Sequence, residues 1–570
     1  MPPPLPQTAS RGWRFWAVFP PLCVATLLAA MEGTVTSTAL PSIVGELHSG
    51  NNYVWILNGY LLTSTAFQPF YGQFAGVFGR RWPTMFAVAV FTLGSGISGG
   101  AKSTTMLIAG RVVQGIGGGG VSVMTQIIIS DLVSVRERGK YMGIIFATFG
   151  IGTTIGPVLG GVIVQHDAWR WVFWLNLPIG GVTLLLQFFF LQVAYRKRFT
   201  LKEKLGQIDW VGNFILIGSV IAILIALSWA DTRYPWSSPH VIAPLVIGFV
   251  GTVCFHVYEA SKFCVQPTIP SRVFGNRTSA TALVLTFGQS MLTFWRIYFL
   301  PVYFQAVRLV SPSRSGVLLL PTVTVGVPVA IVAGRLLTNY GRYKALHLGG
   351  FALMTLAAGL YIRFDASSSL AEVVVYQILA GLGTGCVLTT LLPAVQAGLS
   401  QADVAVATST WGFIRSYGSI WGIAIPAAIF NNRFSHLLYR VENAQARAEL
   451  GGGRGYSHID GSYIRTLPAG DEQQVLDVYT ASLKVVWEVA LAFSIAFFLL
   501  VFLEKQIKLR TTINSDYGLK EKKKQQTDKE AGEKGLGKGK AGEDADLEAV
   551  KATKAHAAPP EQAVSGHGDS

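Results

Sequence analysis

Stretches of about 20 apolar residues, separated mostly by short polar connections, recur along most of this chain. A helix of that length crosses the hydrocarbon core of a bilayer. Backbone polar groups in lipid need partners within the same segment, so each stretch is read as a helix. Of 570 residues, 51% are hydrophobic and 14% charged, against about 25% charged in an ordinary soluble domain. The pattern predicts fourteen spans, near 16–39, 54–75, 84–101, 105–130, 141–164, 170–193, 209–229, 240–259, 280–304, 316–337, 345–364, 370–397, 404–429 and 482–504. The fold class is an all-α membrane protein. The first run has the flanks of a secretory signal but the length of a full crossing, and is read as an uncleaved span.

The net charge of +15 does not indicate nucleic acid, because no basic module with interleaved aromatics is present. Lys and Arg instead crowd alternate connections: Arg11 and Arg14; Arg80 and Arg81; Arg136, Arg138 and Lys140; Arg196, Lys197, Arg198, Lys202 and Lys204; Lys262, Arg272 and Arg277; Arg342 and Lys344. The opposite connections carry only Lys102, Arg170, Arg233, Arg308, Arg314 and Arg363. The positive-inside bias puts both termini in the cytosol, although the connection at 398–403 carries no cation. The sequon "NRT" at 276–278 then faces the cytosol, where no glycan is expected. The segment beyond 505 is charged, poor in apolar residues and read as disordered. Cys23, Cys254, Cys264 and Cys386 form no CxxC pair or metal-ligand pattern and are read as apolar filler.

The chain echoes itself. "GQFAGVFGRR" (72–81) returns as "GRLLTNYGRYK" (334–344), "RVVQGIGGGG" (111–120) as "QILAGLGTGC" (377–386), and "GTTIGP" (152–157) as "GSIWGI" (418–423). Gly72 and Gly334 are 262 residues apart; Gly115 and Gly381, like Gly152 and Gly418, are 266 apart. The expected organisation is two related six-helix halves, an architecture of secondary transporters. It comprises a cytosolic segment 1–14, a bundle 15–193, two inserted helices with their loops at 194–279, a second bundle 280–504 including a long non-cytosolic loop 430–481, and a cytosolic tail 505–570.

Several residues stand out inside the apolar runs. Glu32 lies in the middle of span one, and an acid at membrane depth is a functional candidate by default. Arg111 begins a helical stripe with Gln114, Gly118, Ser122 and Gln126 on span four. "GTTIGPVLGG" places Gly152, Gly156 and Gly160 on one helix face, followed by Gly161, with Pro157 expected to bend the helix. Such a segment is weak as an isolated helix but suits close helix contact in lipid. Tyr60, Phe67, Phe70, Phe294, Trp295 and Tyr298 are candidates to line a cavity for flat apolar molecules. Arg296 is a candidate contact for an anionic substrate, or a cation that snorkels toward an interface or pairs internally; Arg415 reads as an anchor of span thirteen, and Glu488 receives no role.

The echoed segments resemble the major facilitator superfamily. "GQFAGVFGRR" is similar to its loop motif between spans two and three, "RVVQGIGGGG" to its span-four motif, and "GTTIGPVLGG" to its span-five antiporter motif at every fixed position. "MEGTVTSTALP" (31–41) and "WRWVFWLNLPIG" (169–180) resemble the fourteen-span drug:proton antiporter branch. "YVWILNGYLLTSTAFQPFYGQFAGVFGRRWP" (53–83) and "YFLPVYFQAVRLVSPSRSGVLLLP" (298–321) resemble its fungal efflux members. The resemblance spans about residues 15–505. It implies a major facilitator fold with two inserted helices, and proton coupling through Glu32, where relatives usually have Asp, and Arg111. It implies a cytosolic gate built on Gly72, Gly79, Arg80 and Arg81, and a glycine face on span five packed against the opposite half. Gly76 departs from the family, which often has an acid there that clamps the gate.

The resulting expectation is a proton-coupled exporter of hydrophobic or amphipathic small molecules such as drugs, toxins or secondary metabolites. It would work as a monomer in the plasma membrane, with substrate, protons and lipid as its partners and with no cofactor, metal or nucleic acid. Gln114, Gln126, Tyr60, Phe67, Phe294, Arg296 and Tyr298 would line its substrate cavity. Vacuolar transport of basic amino acids is the alternative, but cationic cargo favours several cavity acids and only Glu32 is evident. A non-transporting membrane sensor would call for a signalling domain, which the tail does not show. An enzyme would need a nucleophile or metal constellation, and the nine histidines show no such grouping.

Overall fold

The structure is a computed structural model that describes residues 12–48, 54–166, 168–192, 200–230, 233–264, 266–451, 455 and 463–511. Most of the expected N-terminal segment, the cations Arg196, Lys197 and Arg198, and the tail beyond 511 lie outside the described residues. The helical body begins with α1 (Phe19–Leu47), α2 (Val54–Ala66 continuing as Gln68–Phe78), α3 (Arg81–Gly99), α4 (Thr104–Leu132), α5 (Arg138–Gln165) and α6 (Trp171–Trp174 continuing as Asn176–Phe190). Next come α7 (Trp210–Trp229) and α8 (Pro239–Ala260). The second half holds α9 (Arg277–Val302), α10 (Pro312–Tyr340), α11 (Tyr343–Tyr361), α12 (Leu370–Leu388 continuing as Leu391–Gln396), α13 (Val404–Leu437) and α14 (Ala469–Val501). No β-strand occurs among the described residues.

Local chemistry explains many of the boundaries. Ser103, Asp209, Asn276 and Ser311 accept backbone N–H bonds at the starts of α4, α7, α9 and α10. Ser369 and Glu372 form a capping box on α12, satisfying donors that a first turn leaves open. The sequon residue Asn276 is therefore engaged as a helix cap. The breaks in α2, α6 and α12 fall two to four residues before Pro69, Pro178 and Pro393, where a proline ring clashes with the preceding turn. Pro157, expected to bend its helix, leaves α5 in one continuous piece. Gly79 and Gly341, 262 residues apart, both turn the chain with positive φ, 84° and 68°, a conformation open to glycine at little cost.

Among the described residues, ten helices are long and apolar enough to cross a membrane by length and composition: α1, α4 to α8, α10, and α12 to α14. Phe67 interrupts α2, and α3, α9 and α11 are less apolar. The connection between α13 and α14 is shorter than expected. α13 runs on to Leu437 and α14 starts at Ala469, because Phe430 and Phe434 pack on Tyr479, with ring centres 5.9 and 4.7 Å apart. These helices outrun their apolar windows by packing on each other.

The two halves repeat the same pairings. α1 packs on α5 and α6, α4 on α2 and α3, and α3 on α6. Correspondingly, α9 packs on α13 and α14, α12 on α10 and α11, and α11 on α14. Between the halves, α5 meets α10 and α2 meets α13, again an equivalent pair. The inserted α7 and α8 pack on each other, and α7 leans on α2 and α13.

Candidate functional site

α1 carries Glu32 into the first bundle, where it is 1% exposed. Arg111 and Gln114, one turn apart on α4, reach it from one side. Arg111 Nη1 donates to Glu32 Oε1 and to Gln114 Oε1 at 2.7 Å, while its Nε donates to the Ile56 carbonyl at 2.8 Å. The break in α6 presents Asn176, whose Nδ2 donates to Glu32 Oε2 at 2.5 Å. Thr36, one turn along α1, donates to Oε1 at 2.9 Å. Gln114 Nε2 donates to Ser95 of α3 at 2.7 Å. The guanidinium lies 4.7 Å from the Tyr60 ring centre and 5.7 Å from that of Phe173. A buried ion pair survives only when its remaining donors and acceptors are satisfied, and four helices besides α1 supply these contacts. A small cavity borders the carboxyl, lined by Met31, Val35, Leu159, Ile163, Val172 and Leu175 along with Glu32 and Asn176.

The expected cavity residues do not form one site. Gln114 and Tyr60 belong to the acid cluster. Gln126 and Gln68 lie where α13 meets the first half: a methyl group at Gly412 would sit 3.4 and 3.1 Å from their side-chain oxygens. Gln68 also donates to Ser416 at 2.8 Å, and Phe67 packs with residues of α7 and α13. Phe294 and Tyr298 stack on each other along α9, ring centres 6.4 Å apart. Arg296 is buried inside the second bundle, where it donates to Thr384 Oγ1 at 2.5 Å and the Ala380 carbonyl at 3.3 Å. Its internal engagement follows from packing among α9, α11, α12 and α14.

The glycine face of span five meets a different neighbour from the one expected. Gly152, Gly156 and Gly160 face α1 of their own half, not the opposite half. Methyl groups at Gly152 and Gly160 would lie 3.0 and 2.9 Å from the carbonyls of Leu27 and Val35, and Gly161 faces open space. The second half repeats the contact: Gly418 and Gly422 of α13 press on the Phe287 and Met291 carbonyls of α9. The glycines that meet across the halves are those opening the loop motifs. Gly334 abuts Gly139, where an added methyl would lie 2.5 Å from the backbone, and Gly72 abuts Ser409.

That end of the molecule is closed. Arg80 donates to Asp131 Oδ2 at 2.6 Å and to the Ala75 carbonyl at 2.6 Å. Arg81 donates to the Phe188 carbonyl at the end of α6, also at 2.6 Å. Both arginines sit at helix C-termini, whose dipoles favour cations. Arg136 donates across the halves to the Thr338 and Asn339 carbonyls at 2.6 Å, and Arg138 bonds Gln396. Asp131, Asn176 and Gln396 are not singled out from the sequence, and Arg138 only as a cation of a connection. Asp131 and Arg138 looked like ordinary charges beside a connection, and a lone Asn in an apolar run was the available signal for Asn176. Among the described residues no cluster of three or more His, Cys, Asp or Glu could hold a metal ion.

Residues 22–423 match the Major Facilitator Superfamily model. The chain is 50% identical over 527 residues to the MFS-type transporter gkaD of Penicillium citrinum, covering 92% of this chain and 90% of that one. It is 46% identical over 522 residues to Efflux pump FUS6 of Gibberella moniliformis, covering 91% and 93%. It is also 46% identical over 514 residues to the MFS efflux transporter aclA of Aspergillus oryzae, covering 90% and 93%. Among solved structures, the human organic anion transporter MFSD10 (TETRAN) matches with a TM-score of 0.53 at 14% identity, covering 86% of this chain and 100% of that one. The proton:xylose symporter XylE matches with a TM-score of 0.53 at 13% identity, covering 87% and 98%; both likenesses concern the fold. This chain belongs to the major facilitator superfamily, is a multi-pass membrane transporter of small molecules rather than an enzyme, and is of the fungal efflux type.

Proposed function

We propose that the protein exports hydrophobic or amphipathic small molecules by proton antiport. All fourteen long helices would cross the plasma membrane, and the monomer would keep both termini in the cytosol. The similarity to proteins named efflux pumps supports the direction of transport. The Lys and Arg bias supports the orientation; in that orientation the closed Arg80 end would be cytosolic and this conformer outward-facing.

The observation that carries the coupling is the sealed contact between Glu32 and Arg111. A proton on Glu32 cancels the charge that holds Arg111 and weakens the bond it accepts from Asn176. α1 is then released from α4 and α6. Because α1 is packed into the glycine face of α5, its movement passes to α5, which forms one side of the closed end through Gly139 and Gly334. Proton uptake on one side and release on the other would thus bias the two conformers.

The test is efflux from reconstituted vesicles with and without an imposed pH gradient. Glu32→Gln is expected to bring gradient-driven efflux to background while substrate still binds, and Glu32→Asp to keep part of it. Gradient-driven flux in the Gln variant equal to the parent's would refute the coupling.

A further inference from the structure

Among the described residues, the buried arginines Arg80, Arg111, Arg138 and Arg296 each donate to oxygen acceptors. Arg415, halfway along α13, does not: among the described residues its guanidinium makes no hydrogen bond or ion pair. Its central carbon lies 4.8 Å from the ring centre of Phe146, on α5 of the opposite half, and 5.7 Å from that of Trp411, one turn away. The residue is partly exposed, and none of its nitrogens is a buried atom lacking a partner. Rings satisfy the face of a guanidinium, but the five N–H donors lie in its plane and stay open for a planar acceptor. Ser416 follows it in the chain, and the side-chain oxygens of Gln68 and Gln126, one turn away beside Gly412, are buried without a donor.

A cation between membrane helices is a functional-site candidate by default, and the absence of an acceptor at Arg415 sets it apart from the anchoring role read from the sequence. We propose that Arg415 receives the anionic head of the cargo, which is an amphipathic carboxylate with a flat apolar body. This rests on the export reading and adds the charge class of what is exported. Two parallel N–H···O bonds from the open edge would hold the carboxylate, while Gln68 and Gln126 would accept from hydroxyl groups on the body. The site straddles both halves, since Phe146 comes from one and Arg415 from the other, so its geometry changes when the halves rock.

Full-length protein in nanodiscs would be titrated with 4-(1-pyrenyl)butyric acid and with its neutral amide, read by energy transfer from tryptophan. The parent is expected to prefer the acid by about tenfold, the scale of a single charge-assisted contact. Arg415→Gln should bring the acid down to the amide's affinity while leaving the amide unchanged, and Arg415→Lys should keep part of the preference. Equal affinity of the parent for acid and amide, or undiminished acid binding by Arg415→Gln, overturns the assignment. The preference is read on the parent alone if the Gln variant misfolds. Vesicle efflux separates the two readings. Gradient-driven export of the amide with no acid preference sinks only the assignment of Arg415. Arg415-dependent acid binding with no export of either probe sinks only the export reading.

Discussion

At the end of α2, Arg80 is paired with the carboxylate of Asp131. Both side chains are about 3% exposed, and removing one member of a buried pair costs about 3–5 kcal/mol because the other is left stranded. Asp131→Ala is therefore expected to lower the thermal unfolding temperature in detergent markedly, and adding Arg80→Met should recover much of the loss. A double variant as unstable as the single one would contradict this account. The pair also answers the absence of an acid at Gly76: Asp131, arriving from α4, supplies the anion at this turn. Glu32 and Arg111 were legible because an ionised group within an apolar run stands out from its neighbours. Asp131 was not, since a charge near a polar connection looks the same whether solvated or sealed against a helix end.

At the scale of helices, two kinds of glycine contact have different consequences. Gly422 lets α13 rest on α9 within one half, a contact that rigid-body rocking of the halves, as proposed above, would leave intact. Gly334 lets α10 reach α5 across the halves, a contact that the same rocking would break. Gly422→Leu should lower stability without shifting the balance of conformers. Gly334→Leu should open the Arg80 end, lengthening the distance between spin labels at the exposed positions Trp82 and Tyr340. Equal label distances in the two variants would show that the glycines do not divide this way. The sequence revealed that these segments pack closely, because small residues at helical spacing have few other uses in lipid. It did not reveal which neighbour they meet: a glycine face has no chemistry that selects one apolar helix over another.

For the molecule as a whole, the segment following α14 acts as a tie. Glu504 pairs with the buried His347 at 2.8 Å, and Lys344 donates to the Glu504 carbonyl at 2.6 Å. Farther along, Arg510 donates to the Leu399 carbonyl of the second half at 2.5 Å, while its own carbonyl accepts from the Arg136 amide of the first half at 3.3 Å. A chain ending at Leu503 is expected to keep its bundles but to hold the closed end less tightly. The same spin-label pair should then show a broader distance distribution, and an unchanged one would remove the segment from the gate.

The sequence by itself determined the medium, the helices and the internal repeat. Run length, charge scarcity, caps, prolines and a recurring offset act locally along the chain, so they can be read without coordinates. The tertiary structure decided which half each glycine face touches, which cations find acceptors, and that Arg296 is enclosed while Arg415 is left open. Those outcomes depend on how whole bundles fit together. One residue's neighbours across a helix interface are set by the shapes of many others, and no local pattern encodes them.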